Sequence, residues 1–331
     1  MSHLLNPARA FSAMSATLTG YCLFRFYANT AGNQLVVPYL LAAGAFLALA
    51  DSAWLNLFAA AAAAGAPGGQ AESGEGGRPA TATVLLIAVF ATLAGWMCAM
   101  TGGFNSFRAA GILILAILVR HGLFRAAPVL SPLLGGCSDS LFLMVGMTAH
   151  PAFLEMIQIG EIRLPVIFFG LYLIPPRVLA QAGTAGEREA AGRTGEAGSR
   201  SAAGWNEPAN RAAVWLAGIS AVLIPALLAL IMPRHWLSWL LFALIPAATL
   251  GRLASLLAYR SRRELEAYLG AARNAAVFLN AGGVASLGFY QIREVYGGWR
   301  LALPGREQLA ALAIITVLAL PAWFLGREAE E

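Results

Sequence analysis

Charge is what this sequence has least of. Only 12% of its 331 residues are charged, 59% are hydrophobic, and the mean hydropathy is +0.67. A soluble domain covers its surface with about 25% charged residues, so an ordinary soluble domain is excluded. Lysine is absent: all 22 basic residues are Arg. The 17 acids comprise 15 Glu and only two Asp, Asp51 and Asp139. The Arg bias beside abundant Ala and Gly points to a GC-rich bacterial genome and says nothing of function. Cysteine is scarce as well. Cys22, Cys98 and Cys137 lie in separate apolar blocks, without a CxxC or a His at ligand spacing, so neither a disulfide nor a Cys-based metal site is expected. The net charge of +5 needs no nucleic-acid partner, because cytoplasmic loops of membrane proteins are Arg-rich for topological reasons. The first ten residues lack the basic n-region of a cleaved signal, so the first segment is expected to remain on the chain.

What is present is a series of apolar blocks of about 18 to 25 residues, the length that crosses a hydrocarbon core of roughly 30 Å. They predict an all-α polytopic transmembrane bundle of nine to ten spans, a single integral membrane domain over 1–331. The spans are expected near 10–27, 35–62, 82–101, 107–124, 129–148, 163–181, 212–231, 236–256, 271–290 and 307–325. Ser, Thr and Arg25 interrupt the first, which suits a helix packed against others better than one facing lipid. Two stretches, 63–81 and 182–211, are rich in Gly, Ala, Ser and Glu and read as flexible linkers. Alternating the spans from a cytoplasmic N-terminus puts both linkers on one side, with fifteen of the 22 Arg. The positive-inside rule therefore places both termini in the cytoplasm, in a bacterial inner membrane. Tyr259 to Arg273 mixes Arg and Glu with Leu and Tyr at helical spacing. It fits an interfacial helix on anionic lipid or a solvated connector equally well.

Three places carry a resemblance to the UbiA superfamily of intramembrane prenyltransferases. The family's second span ends in a Leu-Asn-Asp-x-x-Asp type motif, followed by an Arg-Pro-x-Pro-Ser-Gly type turn. Here that span ends Trp54-Leu55-Asn56-Leu57-Phe58-Ala59-Ala60, and Gly77-Arg78-Pro79-Ala80-Thr81 precedes the third. Asn56 matches, while Leu57 and Ala60 stand where the first two Asp belong. The second place is Arg125 to Gly146, RAAPVLSPLLGGCSDSLFLMVG, in which Arg125, Cys137 and Gly146 fit. Ser138 and Leu141 replace the family's Arg and Asn. At the third, Pro176-Arg177-Val178-Leu179, Arg177 is kept and the family's acid is missing. The resemblance spans about residues 5 to 292, with the last span added to the usual nine.

The resemblance implies ionisation of a polyprenyl diphosphate and attack of an acceptor on the allylic cation. Such a leaving group needs Mg²⁺, and Mg²⁺ needs oxygen ligands in octahedral array. Two Asp in the whole chain cannot make two Asp-rich motifs. No cofactor is therefore expected, and Mg²⁺ only if Glu rebuilds its site. The available acids, Glu72 and Glu75 in one linker and Glu187, Glu189 and Glu196 in the other, sit in Gly/Ala-rich sequence that holds ligands poorly. Arg78, Arg125 and Arg177 are candidates for binding a phosphate or lipid headgroup, against their ordinary role as topology-setting Arg.

Asp51 and Asp139 fall inside apolar spans, where an acid is costly and marks a pathway or a partner. Asp139, in Cys137-Ser138-Asp139-Ser140, is the stronger candidate, because three hydrogen-bonding side chains share one helical turn. For Asp51 a helix-end acid bonded to Ser or backbone is an equal alternative. Asn280, Gln291 and His121 are candidate cavity residues, or bundle contacts worth about 0.6 kcal/mol each. The candidate binding set is thus Asn56, Arg78, Arg125, Asp139 and Arg177, with no catalytic residue assigned. The leading reading is a UbiA-like protein binding an isoprenoid or other membrane lipid, its prenyl-diphosphate chemistry lost or altered. An active prenyltransferase with non-standard metal ligands is one alternative. A proton-coupled or lipid transporter using Asp51 and Asp139 is another.

Overall fold

A computed structural model describes residues 7–28, 34–64, 77–123, 130–151, 153–156, 163–179, 208–231, 236–259, 264–265, 267–280, 306 and 309–318. Within these residues every element is helical and there is no strand. The order is α1 (Pro7–Ala28), a 3₁₀ turn (Gln34–Val36), α2 (Val37–Ala64), α3 (Gly77–Met100), α4 (Phe104–Leu123), α5 (Leu130–Met147) and α6 (Phe153–Met156). Then come α7 (163–179), α8 (Pro208–Ile231), α9 (Trp236–Tyr259), α10 (267–280) and α11 (Leu309–Leu318). Each of the ten expected spans overlaps a described helix, although residues 281–290 of the ninth and 307–308 and 319–325 of the tenth lie outside the described residues. Among the described residues six helices are long and apolar enough to cross a membrane, those within α2, α3, α4, α5, α8 and α9. The chain is a multi-pass membrane protein.

Outward faces are apolar, as lipid requires. Leu86, Phe90, Trp215 and Leu230 are all well exposed, which in water would be an aggregating surface and in a bilayer is the solvated one. The linker limits need correction. Ala63 and Ala64 extend α2, Gly77–Thr81 begin α3, and Pro208–Arg211 begin α8. Residues 65–76 and 182–207 lie outside the described residues. The expectation that the first span packs inside the bundle is met: residues 15–24 of α1 are all buried. Its Ser15, Thr17 and Thr19 bond back to the helix or across it, Thr17 Oγ1 to Ala13 O at 2.9 Å and Ser15 Oγ to Ile315 O of α11 at 3.3 Å. That satisfies each hydroxyl without water, and the second bond ties the last described helix to the first.

Small residues set the interhelical distances. A Cβ built on Gly146 of α5 would collide with the Thr17 carbonyl oxygen of α1, and one on Gly20 of α1 would collide with the Leu143 carbonyl. These two glycines let α1 and α5 meet backbone to backbone. Gly136 and Gly170 do the same for α5 and α7, where Ser140 Oγ donates to Val166 O at 3.1 Å. Without a hydrophobic drive between helices in lipid, such close contact and interhelical bonding hold the bundle. Trp54 Nε1 to Thr92 Oγ1 at 3.0 Å joins α2 to α3, and Ser106 Oγ to Val145 O at 3.0 Å joins α4 to α5. Tyr172 Oη to Thr249 Oγ1 at 3.0 Å links α7 with α9. The packing carries α1, α2, α4, α5, α7 and α10 to one polar site.

Candidate functional site

The site is built around the two aspartates. Asp51, in the middle of α2, has a side chain only 1% exposed. Its Oδ1 accepts from Arg120 Nη2 and contacts His121 Nε2, both at 2.6 Å, from the last turn of α4. Arg9, in the first turn of α1, pairs with Oδ2 of the same carboxylate. Arg120 Nη2 also lies 3.1 Å from His121 Nε2. One acid thus gathers two guanidiniums and an imidazole from two other helices. Phe58 of α2 stacks on the outer side of His121, their ring centroids 6.3 Å apart.

Asp139 forms the second centre. It sits one turn after Gly135 on α5 and pairs with Arg177, near the end of α7. Gly135 makes room for that arginine: a Cβ there would stand 2.6 Å from Arg177 Nη1. The two centres are neighbours. Arg9 lies within electrostatic range of Arg120, Asp139, Arg177 and Arg273, and Arg273, on α10, is within range of Asp139. A small cavity of about 20 Å³ is lined by Arg9 of the first centre and Asp139 of the second. Arg9, Ser12, Asp139 and Arg273 form its polar side, while Phe142, Phe169 and Leu173 form an apolar floor.

Of the five residues predicted to bind, the structure joins Asp139 and Arg177 directly. Asn56 instead bonds within its own helix, Nδ2 to Ser52 O at 2.9 Å. Arg78 is in the first turn of α3, but its side chain lies outside the described residues, as does the whole of Arg125. Asp51 is neither a simple helix-end acid nor bonded to Ser52, whose hydroxyl donates to Ala48 O; it is the hub of an ion cluster. His121 belongs to that cluster, whereas Asn280 bonds Ala276 O of α10 at 2.9 Å and Gln291 lies outside the described residues.

Sequence reasoning missed Arg9 and Arg273 as site residues, and it read Arg120, beside His121, first as a cytoplasmic helix-end residue and only second as a catalytic one. The signal was there: each falls inside or beside an apolar block, where an arginine needs a counter-charge or polar partner as much as an aspartate does. Arg9, Arg120, Arg177 and Arg273 all come from the fifteen assigned to one side, and the structure gathers them around Asp51 and Asp139.

The described residues do not suit the Mg²⁺ that the chemistry implied by the resemblance would use. Mg²⁺ needs carboxylate oxygens open to it, and here the Asp51 and Asp139 carboxylates are both engaged by guanidiniums. Among the described residues no three His, Cys, Asp or Glu side chains converge. Glu72, Glu75, Glu187, Glu189 and Glu196 lie outside the described residues.

No protein-family model matches the chain, and no characterised protein sequence matches it. Among solved structures, that of a digeranylgeranylglyceryl phosphate synthase in membranes superposes with a TM-score of 0.51 and 11% identity. The match covers 86% of this chain and 97% of that one. At that identity the likeness speaks for the fold alone, an all-helical membrane bundle arranged like that of the synthase.

Proposed function

We propose that this chain is a UbiA-like protein of the bacterial inner membrane that binds an isoprenoid or other lipid, with the prenyl-diphosphate transfer of the fold lost or altered. One observation carries the reading: both aspartates of the chain are tied up by arginine, Asp51 by Arg9 and Arg120 and Asp139 by Arg177. A divalent cation brought to either carboxylate meets guanidiniums already in place and must displace them against like-charge repulsion. The fold match supports a lipid-handling bundle, and the arginine positions support a cytoplasmic opening by the positive-inside rule.

The test is mass spectrometry of lipids copurifying with the full-length protein, alongside an assay for diphosphate release from polyprenyl diphosphates with Mg²⁺. The expected result is a retained isoprenoid or other specific lipid and no Mg²⁺-dependent release. Release that needs Mg²⁺ and disappears in Glu72→Gln or Glu75→Gln would instead establish an active transferase with rebuilt metal ligands.

A further inference from the structure

α4 turns one stripe to lipid. Phe104, Ile112 and Leu115, each more than half exposed, lie along it, since residues three and four apart share a helix face. Arg108 falls on the same stripe and is exposed as well. An arginine within a span normally faces the bundle and finds an acid there, as Arg120 does with Asp51 at the other end of the same helix. Arg108 has neither an ion pair nor a hydrogen bond among the described residues. Its guanidinium meets only a ring, Cζ standing 4.2 Å from the centroid of Phe104.

That ring belongs to a row fixed across two helices. Trp96 of α3 stacks on Phe107 of α4 with centroids 4.6 Å apart and planes 9° from parallel, and Phe107 is followed by Phe104 at 6.3 Å and 13°. Trp96 Nε1 donates to the Phe107 carbonyl at 2.9 Å, which ties the row to the backbone. The row lies beside the turn 101–103 that joins α3 to α4, and both helices are long and apolar enough to cross a membrane. The turn therefore marks a bilayer surface. Arg108 is four residues into α4, about 6 Å along the helix from its start. At that depth a long arginine stem carries its charged head back toward the lipid headgroups, and here the head is found over Phe104, one turn nearer the surface.

We propose that Arg108, held by the row of Trp96, Phe107 and Phe104, binds the phosphodiester of an anionic phospholipid in the surrounding bilayer. On a lipid-facing stripe the acceptors within its reach are phosphate oxygens and interfacial water, and a guanidinium takes two phosphate oxygens at once. A headgroup without an ammonium is favoured, because a zwitterionic lipid brings its own cation to compete for that phosphate. The aromatic row places the arginine before the lipid arrives, so less side-chain freedom is lost on binding. The site lies outside the bundle, at the end of α4 away from Asp51, and is independent of any lipid held within.

The experiment is native mass spectrometry of the purified full-length protein, titrated in detergent with phosphatidylglycerol or with phosphatidylcholine of the same acyl chains. Phosphatidylglycerol is expected to bind the more tightly. Arg108→Gln should weaken one of its binding steps about fivefold, equivalent to about 1 kcal/mol for one surface arginine, and leave phosphatidylcholine unchanged. Phe104→Leu keeps the charge but removes the ring beside it, and should weaken the same step about twofold. Arg163→Gln is the control: it also removes an exposed arginine, at the end of α7 away from Arg177, and should leave the step as it is. Phosphatidylglycerol steps that are all unchanged in Arg108→Gln overturn the site. Equal losses in Arg108→Gln and Arg163→Gln overturn it as well, since they show diffuse attraction between charges. Equal weakening of both lipids by Arg108→Gln overturns the preference for an anionic one.

Discussion

Asp51 Oδ1 lies 2.6 Å from His121 Nε2, joining the middle of α2 to the last turn of α4. Arg120 reaches the same oxygen at the same distance. Two successive residues of a helix normally point about 100° apart, so for both to reach one atom the carboxylate must sit against the helix end between them. Asp51 therefore fixes where α4 ends relative to α2, and Arg9 extends the clamp to α1.

Removing that charge should be costly. Asp51→Asn leaves Arg9 and Arg120 buried without their carboxylate, and breaking a buried ion pair from one side costs about 3–5 kcal/mol. Unfolding of the purified protein in detergent should show a loss of that order. A change below about 1 kcal/mol, the worth of an exposed pair, would mean that the cluster does not form.

The Asp139–Arg177 pair offers a cleaner comparison, because each partner is removable. Asp139→Asn alone strands a guanidinium whose side chain is 17% exposed and should destabilise by about 3 kcal/mol. Combining it with Arg177→Met should recover most of that loss, since a buried pair replaced by apolar groups is often neutral. Additive losses in the double variant, measured in the same unfolding assay, would contradict direct pairing.

Gly146 is the tightest point between α1 and α5, its Cβ position filled by the Thr17 carbonyl. Gly146→Leu should cost at least about 1–3 kcal/mol through overpacking, with lowered yield of folded protein. Gly122→Ala serves as the control, because nothing lies within 4 Å of a Cβ there. Equal tolerance of both substitutions would contradict the crossing.

His150 follows α5 in the turn before α6, 2% exposed, its ring 5.0 Å from that of Phe24. Burial first, and the Arg25 guanidinium second, hold its imidazole below the usual value of 6.5. A His whose folded value is depressed is favoured neutral. As pH falls below 6.5 the unfolded chain takes up the proton first, and stability declines until the folded value is passed. Thermal unfolding between pH 8 and pH 5 should therefore show a decline on the acid side that His150→Gln reduces. An unchanged slope in that variant would assign the decline to other groups.

Much of this protein was legible before folding was considered. The six membrane-crossing helices among the described residues follow from runs of apolar residues, because crossing lipid is a local requirement on some twenty consecutive residues. The interior placement of α1 was legible from its Ser, Thr and Arg25, which lipid would not accept. Asp139 and Arg177 could be singled out, since charge inside a span needs a reason. Their pairing could not, because 38 residues separate them and only the α5–α7 crossing at Gly136 and Gly170 brings them together. Asn56, chosen for its place in a motif, makes only a bond within its own turn. A motif match reports ancestry of position, and the bond made depends on which helices face it.

By itself the sequence determined the solvent, the secondary structure and the shortage of metal-binding carboxylates, all properties of composition and of short stretches. The tertiary structure alone decided that Asp51 and Asp139 are gathered with Arg9, Arg120, Arg177 and Arg273. The physical reason is that helix faces are chosen by packing. Glycines at particular crossings set how closely and at what rotation two helices meet, and a rotation of one residue carries a charge from the cluster into lipid.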